Sequence, residues 1–453
     1  MLSWHSVRGR QRIQMLKNWQ QLIYTEAVMV NPRVHLQKGK PYPFLDMASV
    51  DPSARCAWTV EWRSFTGGGA RFAVGDTLLA RITPCLENGK IARYCAQLAH
   101  DAHGSTEFIV IRGRENITDS AYAYYLTKWE GVSGYAISQM TGTSGRQRVP
   151  TESLSNLIVP VPPLPEQRRI AHILGTLDDK IENNRKTAKS LEAMAQAIFK
   201  SWFVDFDPVR AKMNGEPPES ICKRLKITPD ILDLFPDRLV DSELGEIPEG
   251  WVLNPISEII EFNPAMPIKK NVSAPYLDMA SLPTAGCWPA DPVFRPYSSG
   301  MRFQNGDTLL ARITPCLENG KTAYIQCLKD HGVGWGSTEF IVMRPKPPVP
   351  SVVAYLIARN DKLRAHAIQG MTGTSGRQRV QVTTVSDFQV IQPDNASIWP
   401  YFGSISVSLF DNIKSFSKEN LPLIKLRDTL LPKLISGEIR VPEAEHLIEK
   451  AAV

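Results

Sequence analysis

The segment Met140–Val149, MTGTSGRQRV, has residue types suited to binding a polyanion, and the same ten residues return at Met371–Val380. Gly142 and Gly145 permit a tight backbone path, and the neighbouring hydroxyls and amides can bond phosphate oxygens. Arginine can neutralise a phosphate or pair with guanine, and glutamine can pair with adenine. The alternative is a Gly-Ser turn that carries solvated arginines, and the residue types alone do not decide between the two.

Further polar and basic positions recur in both copies of the surrounding sequence. We therefore predict DNA contacts at two matched sets of residues. These are Arg81, Lys90, Thr143, Ser144, Arg146, Gln147 and Arg148 in the first copy, and Arg312, Lys321, Thr374, Ser375, Arg377, Gln378 and Arg379 in the second.

No feature of the sequence supports catalysis by this chain. Gly320-Lys321-Thr322 imitates the end of a phosphate-binding loop, but Pro315 stands where that loop requires glycine. The patterns GxGxxG, HExxH, GxSxG and [DN]PP[FY] do not occur. The neighbouring carboxylates Asp178 and Asp179 are expected to be solvated on the polar face of a helix.

A duplication organises the chain. The sixteen residues Gly75–Lys90, GDTLLARITPCLENGK, recur unchanged at Gly306–Lys321, and several shorter blocks recur at offsets of 231 or 232 residues. A period near half the chain predicts two copies of one domain, because solenoid repeats are roughly 20–50 residues long. The stretch Trp58–Arg71 has little likeness to Trp288–Arg302. The pattern therefore indicates a fixed framework that carries a variable surface.

A long helix follows each copy. In Glu166–Phe203, apolar residues recur at steps of three and four, a pattern typical of a coiled-coil seam. A second such helix is expected from Pro400 to about Ser436, with kinks at Pro422 and Pro432. Each helix could pack only on its own domain. We favour an antiparallel coiled coil between them, because each stripe is longer than one domain needs.

The predicted fold class is mixed α/β (α+β), with two tandem duplicated globular domains, an antiparallel coiled coil and a pseudo-twofold axis. Short β-prone runs at Thr77–Ile82 and Phe108–Ile111 predict strands, and Ala121–Trp129 and Ser351–Arg359 predict helices. The predicted domains are residues 1–160 and 250–395, with spacer helices at 161–205 and 396–440, a connector at 206–249 and a tail at 441–453.

Composition sets broad limits. The net charge of the 453 residues is +6, and residues 1–160 hold 18 Lys and Arg against 12 Asp and Glu. This excess is compatible with nucleic acid but does not demand it. No apolar run approaches the ~18 residues of a membrane span, so a cytoplasmic location is expected. Seven cysteines without a CxxC pair predict free thiols at Cys85 and Cys316 and argue against a disulfide framework.

The chain resembles the specificity subunit of type I restriction–modification systems. The residues that carry the likeness are GDTLLARITPCLENGK, GSTEFIV and MTGTSGRQRV in both copies, together with PLPEQRRIAHILGTLDDKIENN at the first long helix. SWFVDFDPVR at Ser201–Arg210 and LGEIPEGW at Leu244–Trp251 also fit the family pattern. Residues 1–17 depart from it, because no equivalent of LGEIPEGW precedes the first copy.

The resemblance implies a non-catalytic subunit with two target-recognition domains. Each would bind one half of a bipartite site in double-stranded DNA, and the helices would set the spacing and dock two methyltransferase subunits. Restriction subunits would complete the complex. No cofactor is implied in this chain, since S-adenosylmethionine belongs to the methyltransferase subunits and ATP with Mg to the restriction subunits. No membrane partner is implied.

Two questions remain open at this level. The identical TGTSGRQRV segments favour related half-sites, whereas the alternative is that shared blocks are scaffold and the variable stretches read the bases. The other class of function is a duplicated-domain scaffold or adaptor that binds another protein or polymer. The DNA sequence recognised and the spacer length do not follow from the residues.

Overall fold

The structure is a computed structural model that describes residues 18–59, 61–96, 100–143, 145–243, 245–329, 332–374 and 376–451. It divides into two compact units, which we describe separately. Unit 1 contains the described residues up to Asn183 together with those from Asn420 onward, and unit 2 contains Asn184–Glu419. Residues 1–17 lie outside the described residues, as do Ser144 and Ser375.

Twelve α-helices occur in the described residues. They are α1 (Tyr24–Ala27), α2 (Ser120–Lys128), α3 (Glu130–Ser138), α4 (Leu164–Phe203), α5 (Asp207–Met213), α6 (Pro218–Leu225), α7 (Pro229–Leu232), α8 (Val352–Ala358), α9 (Asp361–Gln369), α10 (Val382–Ser386), α11 (Ile398–Ile435) and α12 (Val441–Ala451). Short 3-10 helices cover Thr151–Asn156 and Ile256–Glu258.

The strands of unit 1 are β1 (Gln20–Ile23), β2 (Val28–Val30), β3 (Pro41–Leu45), β4 (Cys56–Ala57), β5 (Trp62–Ser64), β6 (Ala70–Phe72), β7 (Thr77–Ala80), β8 (Ile91–Tyr94), β9 (Ala102–Gly104), β10 (Phe108–Gly113) and β11 (Ile158–Val161). The strands of unit 2 are β12 (Leu239–Ser242), β13 (Gly245–Pro248), β14 (Val252–Pro255), β15 (Ile260–Phe262), β16 (Ser273–Leu277), β17 (Val293–Pro296), β18 (Met301–Phe303), β19 (Thr308–Ala311), β20 (Thr322–Tyr324), β21 (Gly334–Gly336), β22 (Phe340–Pro345), β23 (Met371–Thr372), β24 (Arg379–Val380) and β25 (Gln389–Gln392).

Unit 1 contains two main sheets. The larger has the strand order β2-β10-β7-β8-β4, and the smaller has the order β5-β3-β9-β6. The central strand of the larger sheet, β7, is buried along its whole length, because the side chains of Thr77–Ala80 pack into apolar clusters on both faces of the sheet. The antiparallel register pairs Leu79 with Ile109. The repeated GDTLLA and EFIV runs therefore form neighbouring core strands.

Unit 2 repeats this arrangement in its own residues. One sheet has the order β15-β22-β19-β20 and the other has the order β17-β16-β21-β18. Leu309 of β19 pairs with Val342 of β22, as the matching residues Leu78 and Val110 pair in unit 1. The predicted strands at 77–82 and 108–111 and the predicted helices at 121–129 and 351–359 are confirmed.

Each unit contains an antiparallel pair made from segments of α4 and α11. In unit 1, Leu174 and Leu177 of α4 share a core with Leu430 and Leu434 of α11. In unit 2, Phe203 of α4 stacks on Trp399 of α11 with ring centroids 4.6 Å apart, and Phe199 contacts Phe402 at 5.8 Å. In both units the residue numbers rise along one helix as they fall along the other. The predicted pairing of the long helices is confirmed.

One expectation about the helices was wrong, and the kinks expected at Pro422 and Pro432 stay a prediction. Helix α11 continues without a break through Pro422 and Pro432, although each proline removes one backbone donor. Buried side chains on both sides of Pro432, such as Leu430 and Leu434, hold this segment against its neighbours. Asp178 is not solvated, because Tyr125 and Arg427 bond its carboxylate in the interior of unit 1.

The segment predicted as a polar connector with one short helix near Ser220–Leu225 contains more regular structure than expected. Residues 207–232 form α5, α6 and α7, and β12 and β13 form a hairpin. Buried residues such as Phe206, Ile221 and Phe235 attach this segment to the core of unit 2. The few apolar residues of this segment are therefore enough to pack it on the core, although its composition is mostly polar and rich in proline.

The cysteines follow the prediction except for one pair. Cys85 and Cys316 are free thiols, as expected. Cys56 and Cys95 form a disulfide with their Cα atoms 5.5 Å apart, which the sequence argument did not anticipate. Among the described helices, none combines the length and apolar character needed to cross a bilayer.

Candidate nucleic-acid interface

The MTGTSGRQRV segment of unit 1 folds back on itself as a narrow loop, which we call tip 1. The backbone amides of Thr141 and Arg148 each donate to the other residue's carbonyl, at 3.0 and 2.8 Å. Gly142 and Gly145 have φ values of 126° and 80°, a region that favours glycine. A Cβ at Gly142 would lie 3.2 Å from the carbonyl oxygen of Arg146, so a larger residue would also crowd the backbone of the loop.

Tip 1 is attached to the repeated GDTLLARITPCLENGK block. The amide of Thr83 donates to the carbonyl of Gln147 at 3.0 Å, and the amide of Gln147 donates to the Thr83 hydroxyl at 3.0 Å. The amide of Val149 donates to the carbonyl of Arg81 at 2.8 Å. Two blocks that are about 60 residues apart in sequence thus form one surface.

Unit 2 contains the same attachment around tip 2, residues 371–380. Thr314 and Gln378 exchange equivalent bonds of 3.0 and 3.1 Å. The amide of Val380 donates to the carbonyl of Arg312 at 2.9 Å. The duplicated sequence therefore produces the same local geometry twice.

One arginine of each tip is held by a carboxylate. Arg148 bonds Glu107 at 2.7 Å, and Arg379 bonds Glu339 at 2.7 Å. The hydrogen bond from Glu107 raises the pKa of Arg148, and Glu339 does the same for Arg379. A glutamate partner neutralises much of the charge that these arginines would offer to a phosphate.

Four other predicted contact residues also have partners within the chain. Lys90 donates to the Met47 carbonyl at 2.7 Å, and Lys321 donates to the Met279 carbonyl at 2.8 Å. Arg81 donates to the Val149 carbonyl at 2.7 Å. Arg312 donates to the Val380 carbonyl at 3.1 Å. These side chains connect the repeated blocks to one another, and their contact with nucleic acid stays a prediction.

The remaining predicted residues that the structure describes present free groups at the ends of the tips. Thr143 and Arg146 are exposed in tip 1, as are Thr374 and Arg377 in tip 2, while Gln147 and Gln378 are half-buried. Within the described part of the chain, neither Arg146 nor Arg377 has a side-chain hydrogen bond or ion pair. Each tip thus offers one unpaired cation beside a hydroxyl.

A basic cleft beside tip 1 was missed by the sequence argument. It has a volume of about 490 Å³ and is lined by Arg33, His35, Arg71 and Arg81, among others. Arg81 also bonds the carbonyl of Val149, so the cleft adjoins tip 1. Arg33 and His35 were overlooked because they have no identical counterparts in the second copy.

The sequence also did not predict a matched pair of exposed aromatic residues. Trp62 on β5 is 50% exposed, and Phe294 on β17 is 68% exposed. The next residue in each strand is an arginine that lies over a ring, Arg63 over Phe44 at 3.8 Å and Arg295 over Tyr276 at 4.5 Å. The strand register shows that the two aromatic residues correspond. Trp62 lies opposite Pro43 of β3, and Phe294 lies opposite the matching residue Pro275 of β16.

Several known proteins are similar to this chain. The family of the type I restriction modification DNA specificity domain matches residues 87–193, which include tip 1 and the first part of α4. The specificity subunit of the type I restriction enzyme HindI from Haemophilus influenzae is 25% identical over 394 residues, covering 74% of this chain and 81% of the relative. The type I MjaIX specificity subunit of Methanocaldococcus jannaschii is 26% identical over 344 residues, covering 72% and 70%.

A solved structure is also similar. The S subunit of the type I restriction-modification system from M. genitalium matches with a TM-score of 0.50 and 15% sequence identity, covering 92% of this chain and 96% of that one. At this identity the likeness concerns the fold alone.

Proposed function

We propose that this chain, which is similar to the specificity subunits of type I restriction enzymes, selects the DNA sequence on which a type I restriction–modification complex acts. The observation that carries the proposal is the duplicated tip. Two identical loops, each fixed by the same hydrogen bonds, present an unpaired arginine and a threonine at the surface. Such groups bond phosphate oxygens and base edges.

In this proposal each unit binds one half of a bipartite site in double-stranded DNA. The long helices α4 and α11 set the distance between the half-sites and dock two methyltransferase subunits. Restriction subunits join the same complex. The chain itself carries no catalytic step, and S-adenosylmethionine and ATP with Mg act in the partner subunits.

Sequencing of modified bases in the host genome tests the proposal. A strain with the gene is expected to carry methylated adenines in a two-part motif with a fixed gap, and deletion of the gene should abolish them. The matched control replaces the gene with one encoding the Lys223→Ala variant, which changes an exposed lysine outside both tips. An unchanged methylation pattern after deletion would refute the proposed role.

The scaffold alternative gives a different result in binding measurements. A complex of the chain with its methyltransferase should bind duplex DNA with an affinity that falls as salt rises, because cationic side chains displace counterions. An adaptor for another protein would show no salt-dependent affinity for duplex DNA.

A further inference from the structure

The segments that follow Asn31 and Asn263 begin from the same anchored conformation. Both asparagines have a positive φ, 51° and 49°. The Asn31 side-chain oxygen accepts from the Val110 amide at 3.0 Å, and the Asn263 oxygen accepts from the Val342 amide at 2.9 Å. The two segments can therefore be compared residue by residue.

Beyond this anchor the buried position is apolar in both units and the exposed positions differ. Val34 and Met266 occupy the matched buried position, at 7% and 6% exposure. The exposed neighbours are Arg33 and His35 in unit 1, whereas Ala265 and Pro267 stand there in unit 2. The two copies share an apolar side chain at the packed position and differ in the residues that face outward.

In unit 1 this segment forms one wall of the basic cleft. None of the described residues that line it is acidic. Arg33 and His35 make no side-chain hydrogen bond or ion pair with any residue in the described ranges, and Arg71 bonds only the Gly67 carbonyl, at 3.2 Å. The cleft therefore offers cationic donors whose bonding capacity the protein leaves largely unused.

In unit 2 the corresponding groups are occupied. Arg302, the counterpart of Arg71, donates to the carbonyl of Met266. Arg344 lies 3.1 Å from the sulfur of Met266. Residues 264–267, with alanine and proline at positions 265 and 267, supply no side-chain donor. The two units thus agree at their tips and differ in this segment, as they also do in the variable stretches Trp58–Arg71 and Trp288–Arg302.

We propose that Arg33, assisted by His35, reads a guanine in the half-site bound by unit 1, and that the other half-site lacks this contact. Arginine paired with the O6 and N7 atoms of guanine is the commonest specific contact in the major groove. The half-sites are then alike where the identical tips bind and unlike at the position facing residues 33 and 35. This inference rests on the proposed function.

The test is modified-base sequencing of strains that carry Arg33→Ala or Arg33→Gln in place of the natural chain. In Arg33→Ala, one guanine of one half-site should become degenerate, with roughly a 5- to 150-fold loss of discrimination. In Arg33→Gln, preference should move toward adenine, which glutamine can bond at N6 and N7. The other half-site should keep its motif and serves as an internal control for folding.

Lys38→Ala is the matched control, because Lys38 is an exposed cation in the same loop that does not line the cleft. It should leave both half-site motifs intact. An unchanged motif in both Arg33 variants, whether or not methylation becomes slower, would overturn the proposal and assign Arg33 to phosphate binding or to no contact.

If Arg33→Ala abolishes methylation, the complex formed with the methyltransferase is measured in competition binding against duplexes substituted at each half-site position. Discrimination retained at every position would again overturn the proposal. If the natural chain directs no methylation and binds no DNA, the proposed function itself is contradicted. If the natural chain gives a two-part motif and the variants keep the same specificity, only the role of Arg33 is contradicted.

Discussion

The hydroxyl of Tyr125 donates a hydrogen bond of 2.8 Å to the buried carboxylate of Asp178. Arg427 bonds the other oxygen of the same carboxylate at 2.9 Å. Helix α2, the first part of α4 and the last part of α11 are therefore joined in unit 1 through one charged group. Unit 2 uses different residues for the matching attachment, since the Tyr355 hydroxyl donates to Glu192 at 2.6 Å.

Loss of the Arg427 guanidinium should destabilise unit 1. The side chains of Arg427 and Asp178 are 12% and 6% exposed, so Arg427→Ala leaves a carboxylate in the interior without its counter-charge. The expected loss is about 3–5 kcal/mol in the free energy of unfolding, measured by urea denaturation. Asp428→Ala is the control, because that partner is 61% exposed and should cost less than about 1 kcal/mol. Equal effects of the two variants would contradict a buried ion pair.

The stability of unit 2 should depend on the protonation of Glu192. Burial raises the pKa of Glu192 above its ordinary value of 4.5, against an opposing effect of the hydrogen bond from Tyr355. Because the folded state then holds its proton more tightly, the contribution of this group is fully present below the pKa of the unfolded chain. It is lost as pH rises through the raised, folded-state pKa.

Glu192→Gln keeps an acceptor for Tyr355 and removes this titration. Relative to the natural chain, the variant should gain unfolding free energy as pH rises above the pKa of the unfolded glutamate and through the raised, folded-state pKa, measured by urea denaturation at each pH. Glu219→Gln, at an exposed position, should show no such gain. Parallel pH profiles for the natural chain and Glu192→Gln would rule out the predicted coupling.

The unpaired tip arginines should contribute to the salt dependence of DNA binding. Arg146→Ala or Arg377→Ala should lower the slope of log affinity against log salt concentration by about 0.9 if the side chain contacts one phosphate. Binding by the complex with methyltransferase would be measured by titration at several salt concentrations. Lys223→Ala provides the comparison, and a slope equal to that of the natural chain would exclude a phosphate contact at the tip. Thermal unfolding should be unchanged, because neither tip arginine has a partner to lose within the described residues.

The length of the paired helices should control the gap in the DNA motif. Insertion of one heptad between residues 183 and 184 and another between 419 and 420 keeps the apolar stripe in register. Each insertion adds about 10 Å of helix, from ~1.5 Å per residue, which corresponds to about three base pairs at 3.4 Å per step. Modified-base sequencing should show the same half-sites with a longer gap. A gap of unchanged length would show that the helices do not set it.

Much of the architecture could be predicted from the sequence because its signals were local or repeated. The identical blocks identified the duplication, and the apolar stripes identified α4 and α11. By contrast, the burial of Asp178 depends on Arg427, which lies 249 residues away in sequence, and no local pattern reports such a partner.

The candidate site was predictable only in part, for a related reason. The repeated residues identified the tips, including Arg148. The ion pair of Arg148 with Glu107 was not predictable, because the two residues are 41 positions apart in sequence. The same attention passed over Arg33 and His35, because residues that distinguish two copies do not repeat. Trp62 and Phe294 could be matched only through the strand pairing of β5 and β17.

Unit 1 is assembled from distant parts of the polypeptide, and this imposes an order on its biosynthesis. Its core includes Leu430, Leu434 and Val441, whereas every residue of unit 2 precedes Asn420. A ribosome therefore finishes unit 2 before it has made the helical segment that covers Leu174 and Leu177 of unit 1. During that interval the first-made recognition unit exposes an apolar surface, and a premature stop near residue 420 would leave it in that condition permanently.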